Sequence, residues 1–215
     1  MSLLFARFGL WIERRPLLRF VIAVLALLPA AFVLWHAMAR GLAAPATLLT
    51  DAILGMWLPD FVEQTYLQGH DLLVISTYGK TGASLSGATS GVEPMVFAIN
   101  TRLLSYSVPF YAALYFATPT RGGIDRFAWG MVVLWVVLAF GLVAVATKDL
   151  MFGLGAVFLE APAVPSPELI ALAYQFSTLM APTLAPVLLW AYAARDSETF
   201  RSLLGSSRRP AHSRD

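Results

Sequence analysis

Residues 127–147 read FAWGMVVLWVVLAFGLVAVAT, a run between Arg126 and Lys148 with no charged side chain. A helix needs roughly 20 apolar residues to cross the hydrocarbon core of a bilayer, and this stretch supplies them. Outward from it, three further segments are long enough or nearly so: about 16–39, 102–118 and 168–193. The chain thus reads as an α-helical polytopic membrane protein with about four transmembrane helices. Orientation follows from Lys and Arg. With the N-terminus inside, the inner parts hold eleven (Arg7, Arg14, Arg15, Arg19, Arg121, Arg126, Arg195, Arg201, Arg208, Arg209, Arg214). The outer parts hold four (Arg40, Lys80, Arg102, Lys148). The positive-inside rule then selects N-in, C-in, with a small extracytoplasmic insert at 40–101.

Composition agrees: 58% of the 215 residues are hydrophobic and 13% charged, against about 25% charged in soluble domains. Four spans leave no room for a large soluble domain. The net charge of +2 conceals a dipolar layout, since eight of the thirteen acidic residues fall on the outer side. The basic balance reports orientation and attraction to anionic lipid, not nucleic acid, because no basic stripe is interleaved with aromatics. Cysteine is absent, which excludes disulfides, thiolate metal sites and a Cys nucleophile. The first 39 residues are read as a retained span rather than a cleaved signal, since no small-residue cleavage site closely follows the apolar run.

The expected layout is a cytoplasmic amphipathic segment (1–15), a single membrane domain (16–200) and a cytoplasmic tail (201–215). Pro29 is expected to kink the first span. Residues 42–58 are apolar but short. Leu48, Leu49, Ala52, Ile53, Met56 and Trp57 share one helical face, so the segment is read as a helix on the outer surface or packed in the bundle; its length leaves a fifth span open. Residues 71–78 and 93–99 read as antiparallel strands, with a third around 62–68, and the Gly/Ser-rich stretch 79–91 as a flexible connector. Leu73, Ile75, Val96 and Phe97 are the apolar residues this small sheet must cover. The fourth span, with Gln175, Ser177, Thr178, Thr183 and two prolines, is expected to face the bundle.

Few residues point to chemistry. His36, His70 and His212 show no ligand spacing, so no metal or cofactor is expected. Gly79-Lys80-Thr81-Gly82 lacks the upstream glycine of a phosphate-binding loop. Ser76, Ser84, Ser86 and Ser90 lie in the insert with His70 and Asp71, but no Gly-x-Ser-x-Gly occurs. No catalytic residue is assigned. Asn100 and Arg102 open the second span as an anchor or a partner contact. Lys148 and Asp149 mirror them, with an ion pair to Arg102 or Arg40 expected. Groups of this kind at membrane depth seek partners, so Phe97, Asn100, Arg102, Gln175 and Thr178 are the candidate partner-binding residues. The implied partners are membrane lipid and another integral membrane protein in a hetero-oligomer.

Val96-Phe97-Ala98-Ile99-Asn100, followed by Tyr106-Ser107-Val108-Pro109-Phe110-Tyr111-Ala112-Ala113-Leu114, and later Ala173-Tyr174-Gln175-Phe176 with Ala185-Pro186 before Trp190, resemble the exosortase H-associated membrane protein family over about 20–200. The resemblance implies a small multi-pass protein of the bacterial inner membrane, acting beside an exosortase that processes proteins with a C-terminal sorting signal. Exosortases resemble Cys-Arg-His transpeptidases; this cysteine-free chain is not one by that mechanism. The expectation is a non-catalytic accessory subunit that binds the sorting enzyme or its substrate. The alternatives are a structural subunit of another membrane complex, for instance an energy-converting one, or a cysteine-free membrane peptidase using His70 and an insert serine.

Overall fold

A computed structural model describes residues 16–79, 93–119, 123–197 and 200–202. The N-terminal segment 1–15, the connector at 80–92 and most of the tail lie outside the described residues. Helix α1 runs Pro16–Trp57. Strands β1 (Val62–Gln68), β2 (Asp71–Gly79) and β3 (Pro94–Asn100) follow, then the short helices α2 (Arg102–Ser105) and α3 (Ser107–Ala117). Helix α4 is Gly123–Leu154 and α5 is Ala156–Leu159. The last long helix comprises α6 (Pro167–Gln175), a π turn (Phe176–Met180) and α7 (Ala181–Ala194).

Three of these helices, Leu17–Trp57, Gly123–Leu154 and Pro167–Ala194, are long and apolar enough to cross a membrane. The expected second span, 102–118, is instead two short helices meeting at Tyr106. Its ends are pinned beside the first span. Trp35 Nε1 donates to Ser105 Oγ (3.3 Å) at one end, and Trp190 Nε1 donates to Thr118 Oγ1 (2.8 Å) at the other. Trp190 stacks in turn on Phe20, centroids 5.2 Å apart. The segment therefore runs antiparallel to the stretch of α1 from Phe20 to Trp35.

Residues 42–58 form neither a surface helix nor a separate element. They continue α1, which passes through Pro29 and Pro45 without ending. At 1.5 Å per residue this helix is about 63 Å long, twice the thickness of a hydrocarbon core. The surplus beyond about Arg40 carries the sheet. Pro45 removes the donor for the Gly41 carbonyl, and the indole of Trp135 on α4 donates to the neighbouring Leu42 carbonyl at 2.9 Å. The buried face of this half is Ala39, Ala43, Ala46, Thr50 and Leu54. The expected face is the outward one: Leu48 is 72% and Met56 84% exposed. Small residues let α1 and α4 approach closely, and Thr50, whose hydroxyl bonds its own Ala46 carbonyl at 2.8 Å, sits 3.4 Å from the Ala139 carbonyl across the interface.

The fourth span, expected to face the bundle, is the less buried of the last two long helices. Helix α4, rich in Val, Leu, Ala and Gly, is the central helix, burying Leu134, Leu138, Ala139, Leu142, Ala146 and Leu150. The final helix is mostly outward-facing, and its buried positions are Ile170, Ala181, Pro182, Pro186, Trp190, Ala193 and Ala194. The π turn has a covalent cause. Pro182 has no N–H to give Thr178, and the Ala181 N–H reaches back five residues to Phe176.

The sheet is antiparallel in the order β1-β2-β3, as the strand pattern predicts, with Gly69-His70 as its tight turn. Leu72 pairs with Ile99 and Val74 with Phe97. These residues face the helices and join a core with Leu54, Leu58, Phe61, Leu142, Leu150 and Phe158. Asp51 of α1 fixes β1, its Oδ1 accepting from Thr65 N (3.1 Å) and Thr65 Oγ1 (2.9 Å). Trp57 Nε1 closes the far side on the Ala163 carbonyl at 3.1 Å.

Candidate interaction surface at the sheet and its helix junction

Successive residues of a strand point to opposite faces, and this separates Phe97 from the apolar set expected with it. Phe97 turns inward. Its ring lies on Gly153 of α4, where an added Cβ would meet Cζ at 2.5 Å. Leu73, Ile75 and Val96 turn the other way. Register places Tyr66 of β1 and Ala98 of β3 on either side of Leu73, and Gln64 and Val96 on either side of Ile75. This outer face is apolar and partly open: Tyr66 is 44% and Val96 46% exposed.

Below this face the β1–β2 turn is clamped to the start of α2. Thr101 donates to the His70 carbonyl from both its N–H (3.0 Å) and its hydroxyl (2.7 Å). Arg102 Nη2 lies 2.7 Å from His70 Nε2. A guanidinium only donates, so the imidazole accepts at Nε2 and carries its hydrogen on Nδ1. That Nδ1 and Arg102 Nε are buried without a hydrogen-bond partner among the described residues. Asn100 is exposed, and its Oδ1 accepts from the Arg102 N–H at 3.0 Å, ordering the turn from strand to helix. Arg102 is thus taken by His70, and the expected ion pair between Asp149 and Arg102 or Arg40 is not seen among the described residues. Lys148 pairs with its neighbour Asp149 and lies over the Tyr174 ring at 4.9 Å.

Gln175 and Thr178 sit at the π turn of the last helix. Gln175 is exposed, while the Thr178 hydroxyl donates to the Tyr174 carbonyl of its own helix at 2.7 Å. Thr183 does the same to Leu179 at 3.2 Å. Leu104 of α2 and Ser177 of the π turn both approach Gly141 of α4, which lies between these two parts of the chain. The outer sheet face was missed as a unit. Pairing register would have found it, and register is not readable from the strands separately.

Among the described residues, those weighed for catalysis are not brought together. Ser76 is buried, and its hydroxyl accepts from the Tyr78 N–H at 3.1 Å. His70 lies at the opposite end of β2, roughly 20 Å away at the rise of an extended strand. His36 lies on α1 against Trp35. Ser84, Ser86, Ser90, Lys80 and His212 lie outside the described residues. Among the described residues no three His, Asp or Glu side chains gather to hold a metal.

No curated protein and no solved structure matches the chain. The model of one family matches residues 14–197, which include every span, strand and clamp described above. The chain belongs to the exosortase H-associated membrane proteins.

Proposed function

We propose that this protein is a non-catalytic accessory subunit of an exosortase-type protein-sorting system, binding the sorting enzyme or its substrate on the outer side of the bacterial inner membrane. In this reading the chain crosses four times with both termini in the cytoplasm, α2 and α3 supplying the short second crossing. The sheet then stands on the outer side, where a sorting signal would be presented. The observation that carries the reading, beyond family membership, is the apolar outer face of Tyr66, Leu73, Ile75, Val96 and Ala98. A three-stranded sheet needs a second covered surface only if something binds there, because its inner face already joins the helical core. Phe97, Asn100 and Arg102 hold this face in position. Gln175 offers an amide at membrane depth to a partner helix, where such bonds contribute on average about 0.6 kcal/mol.

A photo-crosslinking residue placed at Val96 in living cells tests this. The expected result is an adduct with the exosortase or with a protein carrying its sorting signal. Ile75→Asp on the same face should weaken that adduct and the sorting of the substrate together. Sorting unaffected by Ile75→Asp, with no adduct to either protein, would overturn the proposal.

A further inference from the structure

Two grooves open between the long helices on their outward sides, and they differ in charge. One, between α4 and α6, is lined by Trp57, Phe140, Val143, Thr147, Leu169 and other residues without a formal charge. The other has a volume of about 310 Å³ and lies between the first turns of α4 and the last turns of α7. Its mouth holds two guanidiniums, Arg126 and Arg195. We propose that this second groove binds one anionic phospholipid, with the phosphate at Arg126 and Arg195 and part of an acyl chain along Trp129, Val133 and Leu189.

The groove is open where lipid would enter. Trp129 is 72% and Tyr192 66% exposed, on helices of membrane-crossing length and composition. Tryptophan and tyrosine at the end of such helices favour the headgroup level. The volume suits a headgroup with one chain segment rather than a whole lipid, the remainder lying in the bilayer. The two arginines share a single carboxylate. Asp196 is 3.7 Å from Arg126 and 3.8 Å from Arg195, with all three side chains roughly half exposed. Ion pairs this long and solvated are weak, so a phosphate competes with them readily. Asp125 precedes Arg126 but does not line the groove. The Arg195 guanidinium lies over the Tyr192 ring, 4.6 Å from its centroid, which holds its plane beside the opening. Tyr111 closes the floor, packed against Gly130. The proposal requires only that α4 and α7 lie in a bilayer, and it holds whichever way the protein faces.

The test is native mass spectrometry of the full-length protein purified in mild detergent, titrated separately with phosphatidylglycerol and phosphatidylcholine. One phosphatidylglycerol per protein should be retained with about fivefold preference, the scale of one uncompensated basic group near an anionic surface. The double variant Arg126→Gln/Arg195→Gln should bind the two lipids equally. Val133→Trp keeps both charges but fills the groove, and should abolish the single retained lipid even if the double variant does not fold. Equal retention of the two lipids by the unaltered protein would overturn the proposal. So would a preference that survives both variants.

Discussion

Gly130→Ala should destabilise the protein by about 2 kcal/mol, through one side chain. A Cβ at this position would lie 2.0 Å from the Tyr111 hydroxyl and 2.4 Å from its Cζ. Tyr111 has little freedom to yield. It is 1% exposed, stacks on Phe127 with planes 2° apart and centroids at 5.4 Å, and is tilted against Tyr115, which itself packs on Phe127. Forcing a methyl into such packing costs about 1–3 kcal/mol. The Gly-to-Ala gain in helix propensity returns at most about 1 kcal/mol, so a cost near the upper end of the first range leaves about 2. The assay is denaturant unfolding in mixed micelles, followed by tryptophan fluorescence, run as a double-mutant cycle with Tyr111→Leu. Leucine removes Cζ and the hydroxyl, so in that background Gly130→Ala should be neutral or slightly stabilising. That corresponds to a coupling of about 2 kcal/mol, within the range for residues in contact. An equal cost of Gly130→Ala in both backgrounds would refute the packing argument.

Two further outcomes are expected. Reporter fusions after residues 85 and 160 should read periplasmic and those after 123 and 205 cytoplasmic, following the eleven-to-four distribution of Lys and Arg; one reversed reporter ends the four-crossing reading. Asp51→Ala removes both bonds to Thr65, and because this carboxylate is exposed the loss should be about 1 kcal/mol. It should appear as faster amide hydrogen exchange in β1 with little change in α4, and uniform exchange across both elements would show that Asp51 does not tie the sheet to α1.

The three long apolar helices and the strands were legible because their signals are local, whereas the break at Tyr106 and the continuation of α1 through 42–58 were not. Apolar length marks a crossing whatever it packs against, and 71–79 and 94–100 carry enough β-branched and aromatic residues to read as strands. Facing was not legible, and it failed consistently. The stripe of Leu48, Leu49, Ile53 and Met56 has the spacing of a buried face in water, yet Ala43, Ala46 and Thr50 are buried instead. The polar residues of the last span were expected inward, yet Thr178 and Thr183 satisfy their hydroxyls on their own helix. Neither facing follows from side-chain polarity alone: spacing marks an apolar stripe without saying whether lipid or protein covers it, and a hydroxyl that bonds its own helix has no need of the bundle. Small residues are buried where α1 approaches α4, at Ala43 and Ala46, while the core around α4 keeps its leucines, Leu138, Leu142 and Leu150 among them.

The outer sheet face and its helix junction were half legible. Asn100 and Arg102 stand out in sequence because they interrupt apolar surroundings, and they do mark the junction of sheet and helix. What they hold together is not written beside them. His70, which Arg102 contacts, lies on another turn, and Tyr66 reaches the outer face only through the pairing Tyr66–Leu73–Ala98. The division of labour in the sheet follows from that register. Phe97 is committed to Gly153 within the chain, and its neighbours Val96 and Ala98 are left outward, so the surface open to a partner is set by which strand residues the helices did not use. A partner that docks there meets a rigid face, because the residues behind it, Leu72, Val74 and Ile99, are packed into the same core as the central helix α4.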